Sequence, residues 1–107
     1  MQITCRRNGD TLYAALAGEL DQHSAAEVRR RLNAQIADTR ITRVEYDLAG
    51  VGFMDSSGIG VLLGRYRILA ERGGSMDVVN AGRTVERILR MAGVYKLCTK
   101  EEKADEE

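Results

Sequence analysis

The order of apolar patterns along the chain predicts an α/β fold: a mixed sheet of four to five strands, opened by an antiparallel hairpin and continued by parallel β-α-β units, with helices covering the sheet. Three observations predict it. Two alternating segments flank Asn8-Gly9-Asp10 near the start, as in a hairpin. Beyond them, short strand-like runs alternate with segments whose apolar residues recur every three or four positions. Finally, 107 residues suffice for one hydrophobic core and leave no room for a second comparable unit.

In the first strand, Gln2 to Arg7, Ile3 and Cys5 point inward between polar neighbours. After the turn, Leu12, Ala14 and Leu16 alternate in the second, which Gly18 should end. Ser24-Ala25-Ala26-Glu27 has the spacing of a capping box, and Val28, Leu32 and Ile36 then share one face, giving a helix over 24–37. Val44, Tyr46 and Leu48 line one side of a strand over 41–48, which runs into the irregular stretch Ala49-Gly50-Val51-Gly52-Phe53-Met54, read as a loop. Ile59, Leu62, Leu63, Tyr66 and Leu69 mark the buried face of a second helix over 57–72, with Arg65, Arg67, Glu71 and Arg72 facing elsewhere and Gly73-Gly74 stopping it. A strand over 76–80 follows. Thr84 can cap a third helix carrying Val85, Ile88, Leu89 and Ala92, closed by Gly93. Residues 1–99 form the expected domain, and 100–107 a solvated acidic tail with Glu101, Glu102, Asp105, Glu106 and Glu107.

Composition narrows the function. Lys plus Arg and Asp plus Glu are 16 each, so no net charge is available to hold a phosphate backbone or an anionic membrane. The chain has no tryptophan and 5% aromatic residues, too few for stacking on single-stranded nucleic acid. Neither nucleic acid nor membrane is an expected partner. Cys5 and Cys98 have no metal-ligand spacing, and only His23 could join them; both are expected to be buried thiols, with no metal and no cofactor. No export signal or span of apolar residues is present, which points to the cytoplasm.

In parallel sheets, the loops leaving the carboxyl ends of the strands gather on one edge, where ligands and partners bind. Here these loops are 18–23, 50–57 and 80–83, so Asp21, Asp55, Ser56 and Ser57 should be neighbours. Either serine could cap the second helix. Alternatively, one caps while the other is a phosphoacceptor, where a phosphate would add nearly two negative charges beside the acidic residues without melting the helix. Gly58, Gly60 and Gly64 each cost helix stability, which either close packing on the sheet or close approach of a partner would compensate. Their spacing fits neither dinucleotide- nor ATP-binding loops. A hydrolase nucleophile is rejected, because neither serine lies in G-x-S-x-G and His23 is the sole imidazole. Arg29, Arg30 and Arg31 wrap around a helix and form no single patch.

Gly18-Glu19-Leu20-Asp21 and the run from Phe53-Met54-Asp55-Ser56-Ser57-Gly58 to Tyr66 resemble the two signature segments of the bacterial anti-sigma factor antagonists, which are STAS domains, and above all their sporulation sigma F branch. The resemblance covers roughly residues 2–98. It implies a STAS fold and no enzymatic activity. It implies a partner switch: the unphosphorylated antagonist binds an anti-sigma factor with serine kinase activity, frees the sigma factor, and is inactivated when that kinase phosphorylates Ser56. A serine phosphatase resets it, and the free protein is a monomer. Asp21 and Asp55 match the acidic positions beside the acceptor. Ser57 takes the adjacent, helix-capping place, and the start of the second helix, with Gly58, Ile59, Gly60, Leu62 and Arg65, matches part of the docking surface. Gln22 departs from the pattern, where relatives often carry histidine. An antagonist for a stress-response sigma factor would share this logic. A non-switching STAS ligand-binding or scaffold module would bind its partner regardless of phosphate.

Overall fold

A computed structural model describes residues 1–99; the acidic stretch 100–107 lies outside them. Four strands form one sheet in the order β1-β2-β3-β4: β1 (Gln2–Asn8), β2 (Thr11–Leu20), β3 (Arg43–Met54) and β4 (Ser75–Val79). β1 and β2 pair antiparallel from Gln2 opposite Ala17 to Asn8 opposite Thr11, so Gly9 and Asp10 alone make the turn. β2–β3 and β3–β4 are parallel, joined through helices α1 (Ala25–Ile36) and α2 (Ser56–Ala70). α3 (Arg83–Met91) and a single 3-10 turn, Val94–Leu97, complete the described chain. Among the described residues, an isolated bridge from Met76 to Cys98 is all that stands in for a fifth strand.

The alternation read from the sequence places the core as expected. Leu12, Ala14 and Leu16 of β2, Val44, Tyr46 and Leu48 of β3, and Val28, Leu32 and Ile36 of α1 are buried in one cluster with Leu62, Leu69, Val85 and Leu89. Tyr46 is wholly buried, and its hydroxyl donates to the Leu62 carbonyl at 3.2 Å, tying β3 to the middle of α2. Burial pushes that phenol well above its ordinary value.

Several local expectations are corrected. β2 does not stop at Gly18, and 49–54 is no loop: Gly18, Glu19 and Leu20 pair with Val51, Phe53 and Met54, so both strands extend to the working edge. Register shifts at Ala15/Ala17 and Gly18/Glu19 absorb the extra residues of β3. Gly18, at φ 120°, supplies a backbone conformation that other residues rarely adopt, which is how a glycine can sit inside a strand at a bulge.

The capping box at Ser24 does not form, since the Ser24 hydroxyl donates to the Glu19 carbonyl at 2.8 Å instead. Thr84 lies inside the first turn of α3, whose cap position is Gly82, and Ala92 is exposed. The thiols of Cys5 and Cys98 are only partly buried, because β1 and the residues after the 3-10 turn lie at the sheet's edges. Burial still raises the Cys5 thiol, with Arg31 opposing.

Finally, the buried stripe of α2 is Gly58, Val61, Leu62, Arg65 and Leu69, whereas Ile59, Leu63 and Tyr66 are half-buried. The buried face is turned by about one position from the one that the apolar residues suggest. Arg65 is only 8% exposed, since a long aliphatic stem can follow an apolar surface that a short charged side chain could not.

Candidate functional site

The site lies where β2 and β3 end and α2 begins. Asp55 follows Met54 in extended conformation, the geometry of a residue that precedes a helix without belonging to it. Its backbone N–H donates to the Leu20 carbonyl at 3.3 Å, which sets α2 directly against the end of β2. Its Oδ1 accepts the N–H groups of Ser57, at 2.8 Å, and Gly58, at 3.2 Å. Asp55 is therefore the helix cap, and its negative charge complements the positive end of the helix dipole. The expectation that Ser57 caps α2 is overturned: Ser57 is the second helical residue and gives its N–H to the cap. Aspartate is among the best capping residues, so the cap signal stands two positions before Ser57.

The other oxygen of the same carboxylate reaches across to the first loop: Asp55 Oδ2 accepts the Gln22 N–H at 3.3 Å. Within that loop, Asp21 Oδ1 accepts the N–H groups of His23, at 2.9 Å, and Ser24, at 3.2 Å, while the Asp21 N–H donates to the Ser24 hydroxyl oxygen at 3.1 Å. The segments 18–23 and 50–57 are thus joined by a side chain, as their place at the carboxyl ends of adjacent parallel strands predicts. The third loop is held elsewhere, with the Asn80 side-chain amide donating to Asp47 Oδ1 at 3.3 Å.

Ser56 is exposed as the first residue of α2, and the bonds of this turn engage Asp55 and the nitrogens of Ser57 and Gly58 rather than the Ser56 hydroxyl. Gly60 is also exposed and Ile59 half-buried. Phe53, 44% exposed at the end of β3, adds an aromatic face beside them. It was missed in the sequence because 49–54 was read as an irregular loop; as strand, its alternation with buried Met54 turns it outward.

Gly58, Leu62 and Arg65 are buried, so they shape this surface from beneath and do not line it. The glycines divide accordingly. A Cβ on Gly58 would lie 2.5 Å from the Leu20 carbonyl oxygen and 2.7 Å from Met54 Cγ, so packing explains that glycine. A Cβ on Gly60 or Gly64 would meet nothing within 4 Å, and internal packing explains neither. Among the described residues there is no cluster of His, Cys, Asp or Glu able to hold a metal ion, and no helix is long and apolar enough to cross a membrane.

Comparison with known proteins agrees with this geometry. The STAS domain family matches residues 2–106. An anti-sigma F factor antagonist of Paenibacillus polymyxa is 36% identical over 97 residues, 91% of this chain and 83% of the relative. An anti-sigma-B factor antagonist of Bacillus subtilis is 30% identical over 97 residues, 88% of this chain and 84% of the relative. Among solved structures, the antagonist SpoIIAA in its unphosphorylated form superposes with a TM-score of 0.71 at 27% identity, covering 84% of this chain and 83% of that one. The Bacillus SpoIIAA in its phosphorylated form gives 0.74 at 25% identity, covering 98% and 95%. With its four-stranded mixed sheet and its serine exposed at the start of α2, the chain belongs to the STAS domain family, in its branch of anti-sigma factor antagonists.

Proposed function

We propose that this protein is the antagonist in a partner switch of the sporulation sigma F type. Unphosphorylated, it binds an anti-sigma factor with serine kinase activity and frees the sigma factor; the kinase phosphorylates Ser56 and ends the binding; a serine phosphatase restores it. The observation that carries the reading is that Ser56 stands exposed at the first position of α2 while Asp55 occupies the cap. A phosphate there adds nearly two negative charges without displacing any bond that holds the helix.

The docking surface consists of Ser56, Ser57, Ile59, Gly60 and Phe53, with Asp21 and Asp55 behind them. Gly60 lets a partner's backbone approach the helix closely, which would offset the cost of a glycine in its interior. Phosphate acts by repulsion: each unit charge pair at about 4 Å in water is worth about 1 kcal/mol, so nearly two added charges cost about 2 kcal/mol per facing partner carboxylate, or roughly thirtyfold in affinity.

The test is incubation with the cognate anti-sigma kinase and ATP, location of the phosphate by peptide mass spectrometry, and binding measured before and after. Ser56→Ala should bind constitutively and Ser56→Asp poorly. Equal binding by both variants, each folded, would leave a non-switching module as the better reading. The more distant likeness to a sigma-B antagonist gives a second output for the same switch, and reconstituted transcription with each sigma factor separates the two.

A further inference from the structure

The aliphatic stem of Arg65 packs in the core, but neither the fold nor the switch accounts for its guanidinium. It occupies the buried stripe between Leu62 and Leu69, and among the described residues its Nε and Nη1 have no hydrogen-bond partner. A guanidinium so placed is costly, because a buried cation is normally compensated by a carboxylate or by carbonyl oxygens. Arg72, in the turn that follows the same helix, shows the compensated case, donating to the carbonyls of Ile36 and Ile41 at 2.8 and 2.7 Å.

At Arg65 the surroundings go the other way. Burial lowers the guanidinium from its ordinary value, the Tyr46 phenol opposes this, and the Arg29 guanidinium of α1 lowers it further. Among the described residues, no carboxylate is a cause in that balance. Tyr46 cannot serve as a full counter-charge, since its hydroxyl stays protonated and is already committed to the Leu62 carbonyl. Two cations on packed helices, one of them buried with two unsatisfied nitrogens, are the recognition chemistry for a group with negatively charged oxygens.

We infer that Arg65, buried where α2 packs against α1 and carrying two unpartnered N–H positions, is an oxyanion site, in which a phosphate or carboxylate group accepts from the guanidinium and is attracted by Arg29. It lies nine residues along the helix from Ser56 and needs no kinase, so it stands or falls independently of the switch.

The experiment follows the Arg65 Nε–H resonance of the full chain by NMR while sodium phosphate, sodium acetate or sodium chloride is added at matched ionic strength, with the melting temperature read in the same solutions. A saturable shift with phosphate, and a melting temperature raised by phosphate beyond chloride, is the expected result. Saturation by acetate alone also supports the site and assigns it to a carboxylate, such as a protein side chain would bring. Arg29→Gln, an exposed position, should weaken the binding by roughly threefold, and Arg65→Lys, which keeps the charge but loses donors, by roughly tenfold or more. Arg65→Met should abolish the phosphate-dependent rise in melting temperature. An Arg65 resonance that moves equally and without saturation in all three salts would overturn the proposal. So would an unchanged phosphate response in Arg65→Met, or, should that variant not fold, in both Arg29→Gln and Arg65→Lys.

Discussion

Alanine at Gly58 and alanine at Gly60 should move stability in opposite directions, although the two lie one residue apart on the same helix. At Gly58 the new methyl meets the Leu20 carbonyl oxygen at 2.5 Å, Met54 Cγ at 2.7 Å and Leu20 Cγ at 2.8 Å. The side chains can rotate a little, but the carbonyl is held by the Asp55 N–H, so yielding there loosens the junction of β2 and α2. Overpacking of this kind costs about 1–3 kcal/mol, and the better helix propensity of alanine returns at most about 1 kcal/mol. The net loss reaches about 2 kcal/mol. At Gly60 the methyl meets nothing within 4 Å, so only the propensity gain of about 1 kcal/mol remains.

The propensity gain is common to both, so the two variants differ by the overpacking cost, about 1–3 kcal/mol. Urea unfolding followed by circular dichroism measures it: with a slope of about 2 kcal/mol per molar, the midpoints should separate by about 1 M, with unchanged slopes. A Gly58→Ala midpoint at or above that of Gly60→Ala, at equal slope, would refute the close approach of α2 to Leu20.

Three further outcomes follow from the same contacts. Asp55→Ala should lose about 1 kcal/mol as the helix cap disappears, while Asp55→Asn keeps most of it, as urea midpoints will report. Tyr46→Phe removes a buried hydrogen bond to Leu62 and should cost about 1 kcal/mol, with no effect on the melting cooperativity. Asp38, bonded to Arg40 and Arg7, holds its carboxyl well below the ordinary carboxylate range. A depressed folded value means that its contribution is present above roughly pH 4, the ordinary aspartate value, and is lost as pH falls toward the folded value. Asp38→Asn should therefore flatten the acid limb of a stability-against-pH curve and leave its neutral part nearly parallel to the parent.

Much of the fold was legible because burial here follows simple periods. Leu12, Ala14 and Leu16 alternate, Val28, Leu32 and Ile36 recur every four residues, and the structure buries all six. The failures occur where a residue's chemistry is decided by what crosses from elsewhere in the chain. Ser24 has the spacing of a cap, but the Glu19 carbonyl, brought close by the continuation of β2, takes its hydroxyl. Two glycines in 49–54 disguise a strand, since their cost is outweighed by pairing with Gly18 to Leu20, which no local pattern reveals. Arg65 was placed outward by its charge and inward by its position, and position prevailed. At the site itself, the neighbourhood of Asp21, Asp55 and Ser56 followed from topology alone, whereas the division of labour between Asp55 and Ser57 depended on two residues in where the helix starts.

The extension of β2 and β3 up to Leu20 and Met54 changes what kind of event partner capture would be. A recognition surface made of loops must be frozen when a partner arrives, at a cost of order 1 kcal/mol or more per ordered residue. Here the residues before the acceptor are already in a hydrogen-bonded ladder, and the turn after them is pinned by a single carboxylate to both neighbouring segments. Docking then resembles the meeting of two rigid bodies: heat-capacity change should track the apolar area covered, with little excess from ordering, and affinity should be governed by dissociation.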